Sequence, residues 1–148
     1  MPYAIRDSKP DDFEALWKLD QECFPPGIAY SKVELRAYMR HRGAFTVVGA
    51  DDAGRIGGFL VAHGGPVGHI ITIDVAEPAR RAGLGSLLLN AAEEQLKSVG
   101  ARAVGLEVAV DNAGAISFYK RHGYGVYRTW PRYYSNGVDA LGMTKGLL

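Results

Sequence analysis

One stretch limits the fold of this chain more than any other. Gly68 to Val75 is rich in β-branched residues, and Pro78 closes it before a long amphipathic helix begins. Leu84, Leu88, Ala92, Leu96 and Val99 lie on one stripe of that helix, and Gly100 is its stop. A strand followed at once by a helix with a single apolar stripe lays that helix across a sheet, which places the chain in the α/β class. The junction reads Val75-Ala76-Glu77-Pro78-Ala79-Arg80-Arg81-Ala82-Gly83-Leu84-Gly85. The first N–H groups of a helix have no partner inside it, and the aligned peptide dipoles put partial positive charge there. Gly83 and Gly85 carry no Cβ, so an anion can approach the backbone, and Arg80 and Arg81 add charge beside it. These features describe a pyrophosphate site. It is not a P-loop, because no Lys follows Gly85, nor a dinucleotide fingerprint, because position 88 is Leu where a third glycine belongs. The plainer reading is a glycine-softened turn with two solvated arginines.

The remaining segments give the order of elements. Tyr3 to Arg6 is a short strand, and Ser8 offers an N-cap to a helix in which Phe13, Leu16, Trp17 and Asp20 fall near helical spacing. Phe24-Pro25-Pro26-Gly27 ends that helix. Ser31 and Glu34 make a capping box ahead of a second helix through about Met39. Phe45 to Ala50 and Arg55 to His63 read as a hairpin around Asp51-Asp52-Ala53-Gly54, and Gly64-Gly65-Pro66 turns into the strand described above. Ala103 to Val110 alternates Val104, Leu106, Val108 and Val110, and a helix capped by Asp111 or Asn112 runs from it to about Arg121, before Gly123. Tyr124 to Tyr133 and Val138 to Lys145 form a closing antiparallel pair around Asn136-Gly137. The order β-α-α-β-β-β-α-β-α-β-β predicts one domain over residues 1–148, built on a mixed sheet, with no linker or repeat.

Composition removes several classes. With 148 residues, 47% hydrophobic and 22% charged, the chain has the makings of a real core and is not disordered. Seventeen basic residues against sixteen acidic ones, a formal charge of +1, lack the excess of a nucleic-acid-binding module. Cys23 is the only cysteine, so neither an intramolecular disulfide nor a cysteine metal cage can form. His41, His63, His69 and His122 show no zinc-ligand spacing and read as structural or surface residues, so no metal is expected. The segment MPYAIRDSKPDD is unlike a signal peptide, and no apolar run approaches the ~18 residues that span a bilayer. A soluble, cytoplasmic protein without nucleic-acid or membrane partners is expected.

Two further features bear on chemistry. In Asn112-Ala113-Gly114-Ala115-Ile116-Ser117-Phe118-Tyr119, a small residue and a phenol stand four apart on one helix face. Taken alone, Tyr119 reads as a core aromatic with its hydroxyl at the surface. Glu107 interrupts an apolar strand, where a carboxylate either faces solvent on the alternate face or sits at an open seam of the sheet.

Arg80-x-x-Gly83-x-Gly85 between a strand and a long helix, followed by Asn112, Ala115, Tyr119 and Gly123-Tyr124, resembles the signature of the GNAT superfamily of N-acetyltransferases. The resemblance implies a mixed, mostly antiparallel seven-stranded sheet with helices on both faces and a splay between strands four and five. It implies acetyl-CoA as co-substrate, its pyrophosphate on the backbone amides of Arg81, Ala82, Gly83, Leu84, Gly85 and Ser86, with Arg80 beside them. The pantetheine arm would pair like a strand with Ile73, Asp74 and Val75, and Asn112 would bond one of its amides. Ala115 and Tyr119 would leave room for the thioester. Leu106-Glu107-Val108 with Asn112 and Tyr119 resembles the ribosomal-protein-alanine N-acetyltransferase branch, in which the matching Glu is the base and the matching Tyr the acid. The N–H of Val75 would stabilise the oxyanion. Arg132-Tyr133-Tyr134 with Asn136-Gly137-Val138-Asp139-Ala140 resembles the C-terminal hairpin of peptide N-terminal acetyltransferases. Phe24, Pro25, Tyr30, Tyr133 and Tyr134 are then the expected acceptor residues. The implied reaction is direct attack of a protein or peptide α-amine in a ternary complex, by a monomer or homodimer. A small amine (polyamine, amino acid or aminoglycoside) is the alternative acceptor, and a non-catalytic acyl-CoA-binding module the alternative class.

Overall fold

The β-rich runs become one sheet, and the apolar stripes become helices that cover it. In the computed structural model, which describes residues 2–148, the strands are β1 (Ala4–Asp7), β2 (Ala44–Ala50), β3 (Ile56–His63), β4 (Val67–Val75), β5 (Ala103–Ala109), β6 (Gly125–Trp130) and β7 (Ala140–Gly146). The helices are α1 (Phe13–Cys23), α2 (Lys32–Arg40), α3 (Glu77–Arg80), α4 (Leu84–Ser98) and α5 (Ala113–Arg121). Strand order is β1-β2-β3-β4-β5-β7-β6, and only β4 and β5 run parallel. That pair is bonded from Val67, Gly68 and His69 to Ala103, Val104 and Gly105, and then parts. Beyond the split, β4 stays on β3 through Val75 and β5 stays on β7 through Ala109. This is the mixed seven-stranded sheet with a splay between its fourth and fifth strands that the sequence led us to expect.

Helix α4 covers one face. Its Leu84, Leu88 and Leu96 are fully buried, each worth about 1.5–3 kcal/mol of burial. They sit on a row of glycines: a Cβ at Gly58 would come within 3.1 Å of Leu88 and one at Gly68 within 2.8 Å of Leu96, while one at Gly49 would overlap Leu84. The missing side chains let α4 lie close on β2, β3 and β4, which holds its N-terminus beside the end of β4. On the other face, Phe13, Leu16, Leu19 and Leu35 of α1 and α2 pack on Val48, Phe59 and Val61.

A bulge re-aims β4. Val61 pairs with Thr72 but Ala62 with Ile70, so Ile71 is an extra residue in β4. Ile70 packs in the α4 cluster, Ile71 in the α1 cluster, and Ile73 and Val75 again in the α4 cluster. Thr72 and Asp74 are thereby turned toward α1.

Several boundaries differ from expectation. Ser8 does not cap α1, because its N–H extends the strand by bonding the carbonyl of Thr46 (3.1 Å). A 3-10 turn, Pro10–Asp12, comes first, and Asp12 accepts from the N–H of Lys9 (2.7 Å) and from Arg6 (2.8 Å). Proline suits that first turn because it has no N–H to leave unpaired. Pro78 does the same for α3, a four-residue helix where a loop was expected. Val99 and Val110 lie outside their elements and are exposed. Asn136-Gly137 turns the chain, with Val138 N–H on Asn136 Oδ1 (3.1 Å), but β6 ends at Trp130 and β7 begins at Ala140. The loop between them is held by side contacts instead of a ladder: Asp139 accepts from the N–H of Arg132 (2.8 Å), and Ser135 bonds Gly27.

Candidate active site

The N-terminus of α4 is open. Gly83 is its N-cap, with φ +76°, and among the described residues no side chain caps the helix. That φ lies in the left-handed region, where an L side chain costs about 1–2 kcal/mol. The first bond reaching back is from Leu87 N–H to Gly83 (3.3 Å). Among the described residues, the N–H groups of Leu84, Gly85 and Ser86 have no protein partner. Arg81, Ala82 and Gly83 are exposed around them, whereas the Leu84 side chain is buried, leaving only its backbone to a ligand. Gly85 serves packing as well, since a Cβ there would stand 3.3 Å from the Phe118 ring. Ser86 Oγ bonds His122 Nε2 (2.9 Å), so α5 props the turn from behind.

Arg80 is turned elsewhere. Its Nε donates to the Val75 carbonyl (2.9 Å) and Nη2 approaches Cys23 Sγ (3.9 Å). The guanidinium thus braces the end of β4 rather than the glycine turn. Asn112 caps α5, with Oδ1 accepting from Ala115 N–H (3.2 Å), and this leaves its NH₂ for a ligand. Ile73 and Val75 bury their side chains on the α4 side, so their backbone borders the split, while the Asp74 side chain is fully buried toward α1.

Tyr119 belongs to the core cluster under α4, and Glu107 lies on β5 beyond its pairing with β4. Tyr119, 6% exposed, packs between Phe118 and Tyr124, with ring centroids 5.5 and 5.7 Å away. Its hydroxyl makes no hydrogen bond among the described residues. Burial above all, then Asp74 and Tyr134, raises its pKa, so the phenol keeps its proton at ordinary pH. Glu107 lies two residues past Gly105, the last residue of β5 paired with β4. Of the two readings left open by periodicity, the structure takes the seam: the side chain is 19% exposed, and Oε1 is 2.7 Å from His69 Nε2 on β4. Tyr133 donates to the same oxygen at 3.4 Å, and burial followed by Glu107 pushes its pKa up to about 12. Tyr134 packs edge-on against Tyr133, with ring centroids 5.0 Å apart, and its pKa is raised by burial and then by Tyr133 and Glu107.

His69 is the residue that sequence reasoning missed. Its spacing from Glu107 carries no signal, because only the pairing of β4 with β5 brings them together. Its side chain is 42% exposed, so it links the carboxylate to solvent.

Two loops wall the site. Phe24 is half-buried and extended at the end of α1, and Pro25 is exposed. Tyr30 is anchored at every polar group. Its N–H donates to Asp20 Oδ2 (2.7 Å), its carbonyl accepts from Trp17 Nε1 (3.1 Å) and Gln21 Nε2 (2.7 Å), and its hydroxyl donates to Ile71 (3.3 Å). Gly27, with φ +90°, fits against Asn136 so closely that a Cβ would stand 2.9 Å from the Asn136 backbone nitrogen. Ser135 donates to the Gly27 carbonyl from both N–H (3.2 Å) and Oγ (3.0 Å), which locks the loop after α1 to the loop after β6. No helix of the described residues is long and apolar enough to cross a membrane.

Comparison with known proteins agrees with this fold. Residues 13–124 match the family described as the Acetyltransferase (GNAT) family. The chain is 34% identical over 117 residues to N-alpha-acetyltransferase 30 of Schizosaccharomyces pombe, covering 76% of this chain and 78% of that protein. It is 29% identical over 159 residues to an N-alpha-acetyltransferase of Sulfurisphaera tokodaii, covering 98% and 93%. Among solved structures, Ard1 from Thermoplasma volcanium superposes with a TM-score of 0.91 at 28% identity, over 100% of this chain and 99% of that one.

Proposed function

The chain belongs to the acetyltransferase (GNAT) family, and from that premise we propose that it moves the acetyl group of acetyl-CoA onto the α-amine of a peptide or protein N-terminus. The observation that carries this reading is the set of bare N–H groups at Leu84, Gly85 and Ser86, opening beside a split sheet that holds Glu107 and His69, with Tyr119 on the helix that follows β5. Those N–H groups and the helix dipole take the diphosphate of the donor, with Arg81 exposed beside them. The pantetheine arm lies along Ile73, Asp74 and Val75, where β4 has no strand on that side. The thioester supplies an acetyl group already activated toward amines.

The protein's own part is to place the two substrates and to move protons. An N-terminal ammonium cannot attack until it loses a proton. Glu107 takes it, held in place by His69, which passes it toward solvent. Tyr119 donates its hydroxyl proton to the departing sulfur, and the Val75 N–H stabilises the negative charge growing on the acetyl oxygen. Tyr30, Tyr133 and Tyr134 line the acceptor side. The peptide preference is supported by relatives named N-alpha-acetyltransferase and by Tyr133, which bonds Glu107.

A thiol-release assay with acetyl-CoA against N-terminal peptides and small amines tests the reading. Peptides are expected to turn over with kcat/KM at least about tenfold above any polyamine, amino acid or aminoglycoside. Turnover confined to small amines would move the acceptor assignment, and absence of saturable coenzyme A binding in calorimetry would end the donor assignment.

The interlocked loops give a second expectation. Gly27→Ala puts a Cβ against the Asn136 backbone and strains a left-handed residue. The peptide KM is expected to rise about tenfold, while the dissociation constant for coenzyme A, measured by calorimetry, stays within about twofold. Equal changes in both would place the loops in the donor site instead.

A further inference from the structure

Two carboxyls lie buried where α1 meets β4. Asp20 and Asp74 are fully buried, and neither forms an ion pair with a cation among the described residues. One oxygen of each, Asp20 Oδ1 and Asp74 Oδ2, is buried without a hydrogen-bond partner among the described residues, and the Asp20 carboxyl lies close enough to Asp74 to favour its protonated form. Two ionised carboxylates buried this close together, with no cation paired to either, would repel. With one proton between them, two orphan acceptors become a donor and an acceptor. The outer oxygens are committed: Thr72 donates to Asp74 Oδ1, and the N–H of Tyr30 donates to Asp20 Oδ2 at 2.7 Å. A proton between the two free oxygens would complete a line from β4 through Asp74 and Asp20 to the backbone of the acceptor loop.

We propose that this shared proton pins the loop carrying Tyr30 against the donor strand, making Asp74 a positioning residue for the acceptor amine. The role rests on the acetyl-transfer reading above. Asp74 neighbours Val75 in the strand bordering the split, so the pin ties the acceptor wall to the strand along which the donor lies. The β4 bulge at Ile71 is what turns Asp74 toward α1 and makes the pin possible.

Burial, and then the Asp20 carboxyl, hold the Asp74 proton well above the usual carboxylate range. Other titratable groups around the pair leave Asp74 as the one that responds to pH. From α1, Cys23 is pushed up to about 11 by burial and then Asp74. From α5 and the acceptor loop, Tyr119 and Tyr30 are both raised by burial and stay protonated. On β3 the residue opposite Asp74 is Phe59, and Arg80 of α3 reaches Val75 and Cys23 rather than the pair. The sign follows. In acid, Asp74 carries its proton in folded and unfolded chains alike. As pH rises through the ordinary carboxylate range, the unfolded chain loses that proton while the fold keeps it, so Asp74's contribution to stability declines until Asp74 itself ionises. The pin then parts.

Wild type and D74N are compared over a pH series. Asn keeps the size of Asp and offers Asp20 an N–H at every pH. In the wild type, the hydrogen-exchange protection factor of the Tyr30 amide is expected to fall about tenfold or more as Asp74 ionises, with the amine KM rising in step. In D74N both lose that pH dependence, whatever their starting values, and thermal stability loses the decline assigned to Asp74. D20A frees the Tyr30 N–H and raises the amine KM at every pH, with coenzyme A affinity retained. Infrared difference spectra at neutral pH show an un-ionised carboxyl band that is absent from D74N. Superimposable wild-type and D74N curves, or no un-ionised carboxyl at neutral pH, overturn the proposal. Hydrogen exchange needs no substrate, and KM is read on whichever amine the thiol-release assay identifies. The pin can therefore fail while peptide acetylation stands, and the acceptor assignment can fail while the pin stands.

Discussion

Glu107→Gln is expected to lower kcat by about 10²–10⁴-fold, with the fold and coenzyme A affinity retained. Gln has the same length and still presents an oxygen to His69 Nε2, 2.7 Å away in the native protein, and to the Tyr133 hydroxyl. What it lacks is the capacity to receive a proton. Steady-state kinetics with the best peptide, set beside calorimetry with coenzyme A, separates that loss from a binding defect. His69→Ala leaves the carboxylate but removes its link to solvent, so its effect should be smaller and of the same kind. A Glu107→Gln variant that keeps kcat within about threefold would place the base elsewhere, because lost general-base catalysis is larger than that.

Tyr119→Phe is expected to lower kcat on the order of 10²-fold and to leave coenzyme A affinity within about twofold. The ring packs against Phe118 and Tyr124, and Phe keeps both contacts. The hydroxyl has no partner among the described residues, so its removal orphans no buried group there and the melting temperature should change little. Its value lies at the sulfur, which needs a proton as it leaves. The defect should therefore shrink with a thioester donor whose thiol is more acidic, since that sulfur departs unaided. An equal defect with both donors would assign Tyr119 to packing. Because burial holds its proton so firmly, no limb of the wild-type pH–rate profile in the ordinary range should belong to Tyr119.

Much of this was legible in the chain, and the legible parts share a cause. The α4 stripe, the Ser31–Glu34 capping box and the bare turn at Gly83 depend on residues within a few positions of one another. The capping box forms as read, with Ser31 Oγ accepting from Glu34 N–H (3.1 Å) and Glu34 from Ser31 N–H (2.9 Å). Where local signals competed with distant contacts, the reading slipped. Ser8 looks like a cap but joins β2, and Asn136-Gly137 looks like a tight hairpin but is drawn across to Pro26 and Gly27. Arg80 looks like a phosphate ligand by proximity, yet the acceptor it meets in space is the Val75 carbonyl.

By itself the sequence determined the order of elements, the α/β class and a helix whose first N–H groups lack partners, because side-chain period and backbone hydrogen bonding are set by near neighbours. Only the tertiary structure decided that Glu107 faces a seam beside His69, that Asp20 and Asp74 share a buried site, and that Gly27 closes on Asn136. Each of those pairs joins segments far apart in the chain. They meet because β4 and β5 separate after three residues and a bulge turns β4 toward α1, and no local spacing encodes either event.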